Sequence, residues 1–182
     1  MESGRSPRME AVTVDSSEAY APPKDTAVQL PQPLADTMRR TDTATNRINT
    51  GKVQPQEVVV FAQTLVGTPY RYASADPLIG FDCSGFITYI FHHFGIEVPR
   101  SSIDFTNVGK EVSVPAAKPG DLILFTGTDS TEKFVGHMGL VISNDTSQLV
   151  FIHSSSGKAN GVTITPLNGY YRSRYVKTVR IF

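Results

Sequence analysis

Apolar positions are sparse before residue 54 and dense after it. From Pro55 onward, Val58, Val59, Ala62, Leu65 and Val66 recur at helical spacing, with Pro55 suited to a first turn and Gly67 to a stop. A second helical pattern follows at Phe86, Ile87, Ile90, Phe91 and Phe94, preceded by Asp82 as N-cap and closed by Gly95. Between the two lies a loop, Thr68–Gly80, with two prolines. Ser101 or Ser102 is placed to cap a short helix through about Val108. After the turn Pro119-Gly120-Asp121 the period shortens. Leu122–Phe125 is an unbroken apolar run, as in a strand buried on both faces, and Gly161–Thr165 and Tyr175–Ile181 alternate. His137–Ile142 and Gln148–His153 are strands on either side of turn-forming Ser143–Ser147, which predicts a hairpin. The elements together predict an α+β domain, with helices on one face of about five antiparallel strands.

The hairpin brings two histidines together. Pairing across its loop sets opposite each other residues whose numbers sum to about 290, so Ile142 meets Gln148 and His137 meets His153. Gly139 follows His137 on the same face and leaves space for a helix to come close. The second helix is expected on that face, because its own apolar side needs cover.

That helix begins at Cys83, the one cysteine of the chain. The unpaired amides and the dipole of a first helical turn favour a negative charge, so its thiol is expected to ionise more readily than free cysteine. A cysteine nucleophile, a histidine base and a third group that orients the base form a recurrent catalytic arrangement. Cys83, His137 and His153 fit those roles, with the Cys83 amide and the Tyr70 hydroxyl as oxyanion donors. The same three residues are also a possible zinc ligand set, which the helix-start thiol and histidine pair make unnecessary. Of the other histidines, His92 falls half a turn from Cys83 in phase, and His93 is read as a surface residue. Asp121 is read as a turn residue.

Composition narrows the picture. Seventeen basic and seventeen acidic residues balance, so no field recruits nucleic acid or an anionic membrane. A lone cysteine excludes an internal disulfide. No apolar run is long enough to span a bilayer, and no charged-then-apolar leader pattern stands at the start. Residues 1–54 are rich in Ser, Thr, Pro, Asp and Ala, with Tyr20 as their one aromatic. They are expected to be a flexible tether, with a short amphipathic piece around Leu34–Ile48, ahead of a folded domain at 55–182.

The blocks Gly67-Thr68-Pro69-Tyr70-Arg71-Tyr72, Phe81-Asp82-Cys83-Ser84-Gly85-Phe86, Val98-Pro99-Arg100-Ser101-Ser102, Lys118-Pro119-Gly120-Asp121-Leu122, Gly136-His137-Met138-Gly139 and Ile152-His153-Ser154 occur in this order. Together they resemble the NlpC family of bacterial cell-wall cysteine peptidases. The closing Tyr170-Tyr171-Arg172-Ser173-Arg174-Tyr175 looks like the Spr-type lipoprotein endopeptidase branch of that family. The resemblance implies a papain-like fold with a five- to six-stranded antiparallel sheet, and hydrolysis of peptide stems or cross-links of peptidoglycan. It assigns Cys83 as nucleophile, His137 as base and His153 as orienter, Tyr70 to the oxyanion site, and Asp82, Ser84, Arg100 and Ser101 to the substrate cleft. It implies no metal or organic cofactor, a monomer, and a place in the cell envelope as an outer-membrane lipoprotein tethered through the N-terminus. An amidase or acyltransferase on the same scaffold and an inactive wall-binding module are the alternatives. The chain departs from the family where Ala73-Ser74 replaces a common Gly-Gly and Phe105 a common Gln, and both departures are expected at the cleft.

Overall fold

The computed structural model describes residues 47–128, 131, 133–145 and 148–182. The tether and the amphipathic piece expected upstream fall almost wholly outside the described residues. Of residues 47–54, Ile48 and Val53 are partly buried and pack against the core.

Helix α1 (Pro55–Thr64) starts as its sequence predicts. Pro55 takes a first-turn position, and the Gln54 amide donates to the Glu57 carboxylate at 2.8 Å, which satisfies a donor that the helix start leaves open. Val58, Val59 and Ala62 face the core, whereas Val66, expected on that face, lies past the helix end and is exposed. The loop that follows carries a two-stranded ribbon, β1 (Ala75–Asp76) and β2 (Gly80–Phe81), and leads into helix α2 (Cys83–His93). The remaining elements are a 3₁₀ turn at Ser102–Asn107, β3 (Lys110–Val112), a 3₁₀ turn at Val114–Ala116, β4 (Leu122–Thr126), β5 (Val135–Asn144), β6 (Leu149–Ser155), β7 (Gly161–Pro166), helix α3 (Gly169–Ser173) and β8 (Tyr175–Arg180).

Strands β3 to β8 form one antiparallel sheet in the order β3-β8-β4-β5-β6-β7. Both of its faces are covered, which is why Leu122–Phe125 shows no alternation. On one face Leu122, Leu124, Met138, Leu140 and Ile152 pack with Val58, Ala62, Phe86, Ile87, Ile90 and Phe91 of α1 and α2. On the other, Ile123, Phe125, Val141 and Phe151 pack with Leu167 and Tyr171, the latter from the single turn of α3. Fully burying an aromatic such as Phe86 stabilises by roughly 2–3 kcal/mol.

Two expectations change here. The cysteine helix packs on the Met138–Leu140–Ile152 face, not on the face of the histidines. The rings of His137 and His153 project the opposite way, among Phe125, Phe151 and Tyr171. The hairpin register also differs. Leu140 pairs with Ile152 and Val141 with Phe151, but Ser143 pairs with Val150, so an irregularity at Ile142 adds one residue to β5. Continued toward the open end, this register sets His153 opposite Gly139, and His137 lies diagonally from it. The shift is by two, so the two histidines keep a common face.

Candidate active site

Several backbone bonds fix the start of α2. The Asp82 carboxylate accepts from the Gly85 amide at 2.6 Å and caps the helix. Ser154 Oγ donates to the Phe81 carbonyl at 2.7 Å, tying the end of β6 to the residue before the cap. The Asp82 amide donates to the Ser74 carbonyl at 3.0 Å. That carbonyl passes so close to α2 that a Cβ on Gly85 would lie 2.0 Å from its oxygen, so only glycine fits there. Ala73 takes a left-handed conformation, φ 58°, a region that glycine enters far more readily than alanine. Upstream, Tyr70 is held by its amide on the Asn160 carbonyl, while the Phe81 amide donates to the Pro69 carbonyl.

Cys83 opens on a cleft of about 490 Å³, lined by Tyr70, Tyr72, Ala73, Asp82, Ser84, Arg100, Ser101, Ser102 and Gly136. All five residues assigned from sequence to the oxyanion site or substrate cleft are therefore here. The Arg100 guanidinium donates to both oxygens of Asp82, at 3.1 and 2.7 Å, and to Ser84 Oγ at 3.0 Å. Asp82 thus caps the helix with one face and holds Arg100 with its remaining lone pairs. Of the two departures expected at the cleft, Ala73 lines it. Phe105 does not, being fully buried in the core, and Ser74 is buried beneath the helix start.

The histidine pair is joined directly. His137 Nε2 lies 2.9 Å from His153 Nδ1, and His153 Nε2 lies 3.0 Å from Thr165 Oγ1 on β7. Gly139 makes this possible, because a Cβ there would stand 2.7 Å from the Phe151 ring and 3.2 Å from the His153 Cβ. Its missing side chain makes room for neighbours on the strands, not for a helix. The outer side of the pair opens on a second cleft, of about 520 Å³, with Thr165, Tyr170, Tyr171, Lys158 and Arg174 among its lining.

The thiol meets the histidine strand through its backbone. Cys83 Sγ lies 3.9 Å from the carbonyl oxygen of Gly136, the residue before His137. Among the described residues no hydrogen bond joins Cys83 to His137. The charge state also differs from the expectation for a helix start. Burial, then the Asp82 carboxylate, push the Cys83 thiol up to about 11. Burial, His153 and Arg174 hold His137 well below the usual histidine range, and burial and Arg174 hold His153 down at about 4. The resting site is a neutral thiol beside neutral imidazoles, because loss of water outweighs the helix dipole. Burial, Cys83 and Asp82 likewise raise the Tyr70 phenol.

Thr165, Tyr171 and Arg174 were missed from sequence. Thr165 carried a faint signal, since it shares the odd-numbered face of its strand with Thr163, which pairs with His153. Asp121, read as a turn residue, does accept from the Lys118 amide, but it is also buried and paired with Arg180 at 2.7 Å. His92 is exposed near Glu97, and His93, exposed as expected, stacks on Phe61 at 3.8 Å. No group of three His, Cys, Asp or Glu converges as a metal site among the described residues.

The family model described as NlpC/P60 matches residues 67–180. The chain belongs to the NlpC/P60 family. It is 38% identical over 117 residues to the murein DD-endopeptidase MepS/murein LD-carboxypeptidase of Escherichia coli, covering 63% of this chain and 56% of that protein. It is 34% identical over 124 residues to the gamma-DL-glutamyl hydrolase of Bacillus subtilis, covering 68% of this chain and 29% of that protein. A crystal structure of an NlpC/P60 family protein from Bacillus cereus superposes with a TM-score of 0.63 at 29% identity, over 72% of this chain and 41% of the other. The chain thus spans between under a third and just over half the length of these curated relatives. The match covers α2, both histidines and the whole sheet, so the papain-like α+β expectation holds.

Proposed function

We propose that this NlpC/P60 domain is a cysteine peptidase that hydrolyses peptide stems or cross-links of peptidoglycan, with Cys83 as nucleophile, His137 as base and His153 as orienter. The observation that carries it is the chain of contacts His137–His153–Thr165, placed on the strand whose Gly136 carbonyl touches the Cys83 thiol. One tautomer makes this chain a base. His153 Nε2–H donates to Thr165 Oγ1, His137 Nε2–H donates to His153 Nδ1, and the lone pair of His137 Nδ1 remains for the thiol.

In that reading the substrate completes the thiol–imidazole contact, as catalytic hydrogen bonds often tighten only in the complex. The thiol proton passes to His137 as Sγ attacks the amide carbon. The resulting oxyanion is met by the Cys83 amide at the start of α2 and by the Tyr70 hydroxyl. His137 then gives its proton to the leaving amine, and the C–N bond breaks to leave a thioester. Water, deprotonated by His137, attacks the thioester and releases the acid and the thiol. Asp82, Ser84, Arg100 and Ser101 hold the acyl side of the substrate in the cleft around Cys83.

A wall substrate places the domain outside the cytoplasmic membrane, with residues 1–54 as a tether in an outer-membrane lipoprotein; their low apolar content supports the tether. The test is digestion of purified peptidoglycan by the full chain and by Cys83→Ser, with fragments identified by mass. Wild type is expected to release peptide fragments that the variant does not. Identical digests overturn the proposal.

A further inference from the structure

The cleft on the outer side of the histidines has a cation that no carboxylate pairs with among the described residues. Arg174 follows α3, and its guanidinium donates from Nη1 to the Tyr170 hydroxyl at 2.6 Å and from Nη2 to the Thr126 carbonyl at 2.7 Å. It lies 5.0 Å over the Tyr170 ring. Its Nε is buried and has no partner. Two other arginines of the domain are matched by a carboxylate in two-pronged fashion, Arg100 by Asp82 and Arg180 by Asp121. Arg174 is instead held by two neutral acceptors, which fix its position and, among the described residues, leave its charge without a carboxylate partner. Lys158 adds a second cation to the same lining, and the described lining contains no carboxylate.

We propose that this cleft is a carboxylate receptor, anchored by Arg174 with Lys158 as a second cation, and that it takes a free carboxylate on the amine side of the scissile bond. The proposal rests on the peptidase reading above. Its placement follows from which atoms part company. The acyl group stays with Sγ in the Cys83 cleft, and the amine departs toward His137, whose ring lines the other cleft. A carboxylate on the departing residue is thereby carried toward Arg174, where planar guanidinium donors suit it. The same arginine lowers the proton affinity of both imidazoles. A carboxylate seated on it offsets that field, so occupancy makes His137 a stronger base while substrate is bound.

The test uses the full chain and two muropeptides that differ only in whether the residue on the amine side of the cut bond bears a free carboxylate or a carboxamide. Wild type is expected to favour the acid by about tenfold or more in kcat/KM, as for a charge-assisted hydrogen bond. Arg174→Met should bring the ratio near unity, and Lys158→Gln should lower it by about two- to threefold. Arg174→Lys keeps the charge and should keep part of the preference, while thermal melts of each variant report folding. Equal use of both peptides by wild type, or a preference that survives in Arg174→Met, overturns the receptor. If wild type cuts neither peptide, the peptidase reading is what fails. Titration of both into Cys83→Ser then decides the cleft, with tighter binding of the acid upholding it and equal binding overturning it.

Discussion

His137 and His153 sit diagonally on neighbouring strands, yet their imidazoles meet edge to face with Nε2 and Nδ1 2.9 Å apart. The contact passes over Gly139, which stands opposite His153 and offers no side chain in the way. Adding one is the direct test. Gly139→Ala would bring a methyl within 2.7 Å of the Phe151 ring and 2.9 Å of the Ile152 carbonyl. The expected cost is about 1–3 kcal/mol in urea-induced unfolding, with His153 displaced. Release of wall peptides should fall below what the remaining folded fraction accounts for. Wild-type activity per folded molecule would show that the pair tolerates the change.

Thr165 fixes the far end of the chain, 3.0 Å from His153 Nε2. In the proposed mechanism it is a positioning residue, acting through His153. Losing this hydrogen bond in Thr165→Val should lower kcat about fivefold, with KM little changed, for a bond worth about 1 kcal/mol. Thr165→Ser keeps the hydroxyl and should restore most of the rate. Equal kcat in the valine and serine variants would remove Thr165 from the mechanism.

The buried imidazoles make stability depend on pH. His153 titrates near 6.5 when unfolded and near 4 when folded, so between those values the unfolded chain holds more protons. Stability is then full above about pH 6.5 and falls as pH drops toward 4. His153 alone accounts for roughly 3 kcal/mol of that fall, and His137 acts in the same direction. Urea midpoints at pH 7 and pH 4.5 measure it. His153→Gln should flatten the dependence, and an unchanged slope would mean that this ring is not buried as a neutral group.

Asp82 does two opposed things to the site. It caps α2, and its charge helps hold the Cys83 proton in place. Iodoacetamide should therefore modify resting Cys83 roughly tenfold or more slowly than free cysteine at pH 7, with the rate still climbing beyond pH 10. Asp82→Asn keeps an oxygen for the Gly85 amide and removes the charge, so it should speed alkylation with little loss of helix stability. Asp82→Ala should lose about 1 kcal/mol with the cap. Alkylation of wild type at the rate of free cysteine at pH 7 would contradict a buried, protonated thiol.

Much of this was legible in the chain itself. Local rules placed Asp82 before Cys83 and Cys83 in a first helical turn, because capping and helical periodicity act within a few residues. Period-two alternation kept His137 and His153 on one face of the hairpin, and a register shift by two leaves that parity intact. Other features depended on the fold. Both faces of the sheet are apolar, Leu122, Leu124, Met138 and Leu140 on one and Ile123, Phe125, Val141 and Phe151 on the other. Alternation alone therefore cannot choose which face α2 covers. The extra residue at Ile142 has no signature in a run of apolar side chains. The thiol's proton affinity depends on burial under neighbours from β5 and the Tyr70 loop, and Arg174 reaches the histidines only because α3 folds back over the sheet. The sequence by itself determined the cysteine at the helix start, its cap and the shared face of the two histidines. The tertiary structure decided their protonation, the bond to Thr165 and the charge beside them, because desolvation and long-range contacts exist only once distant segments are packed together.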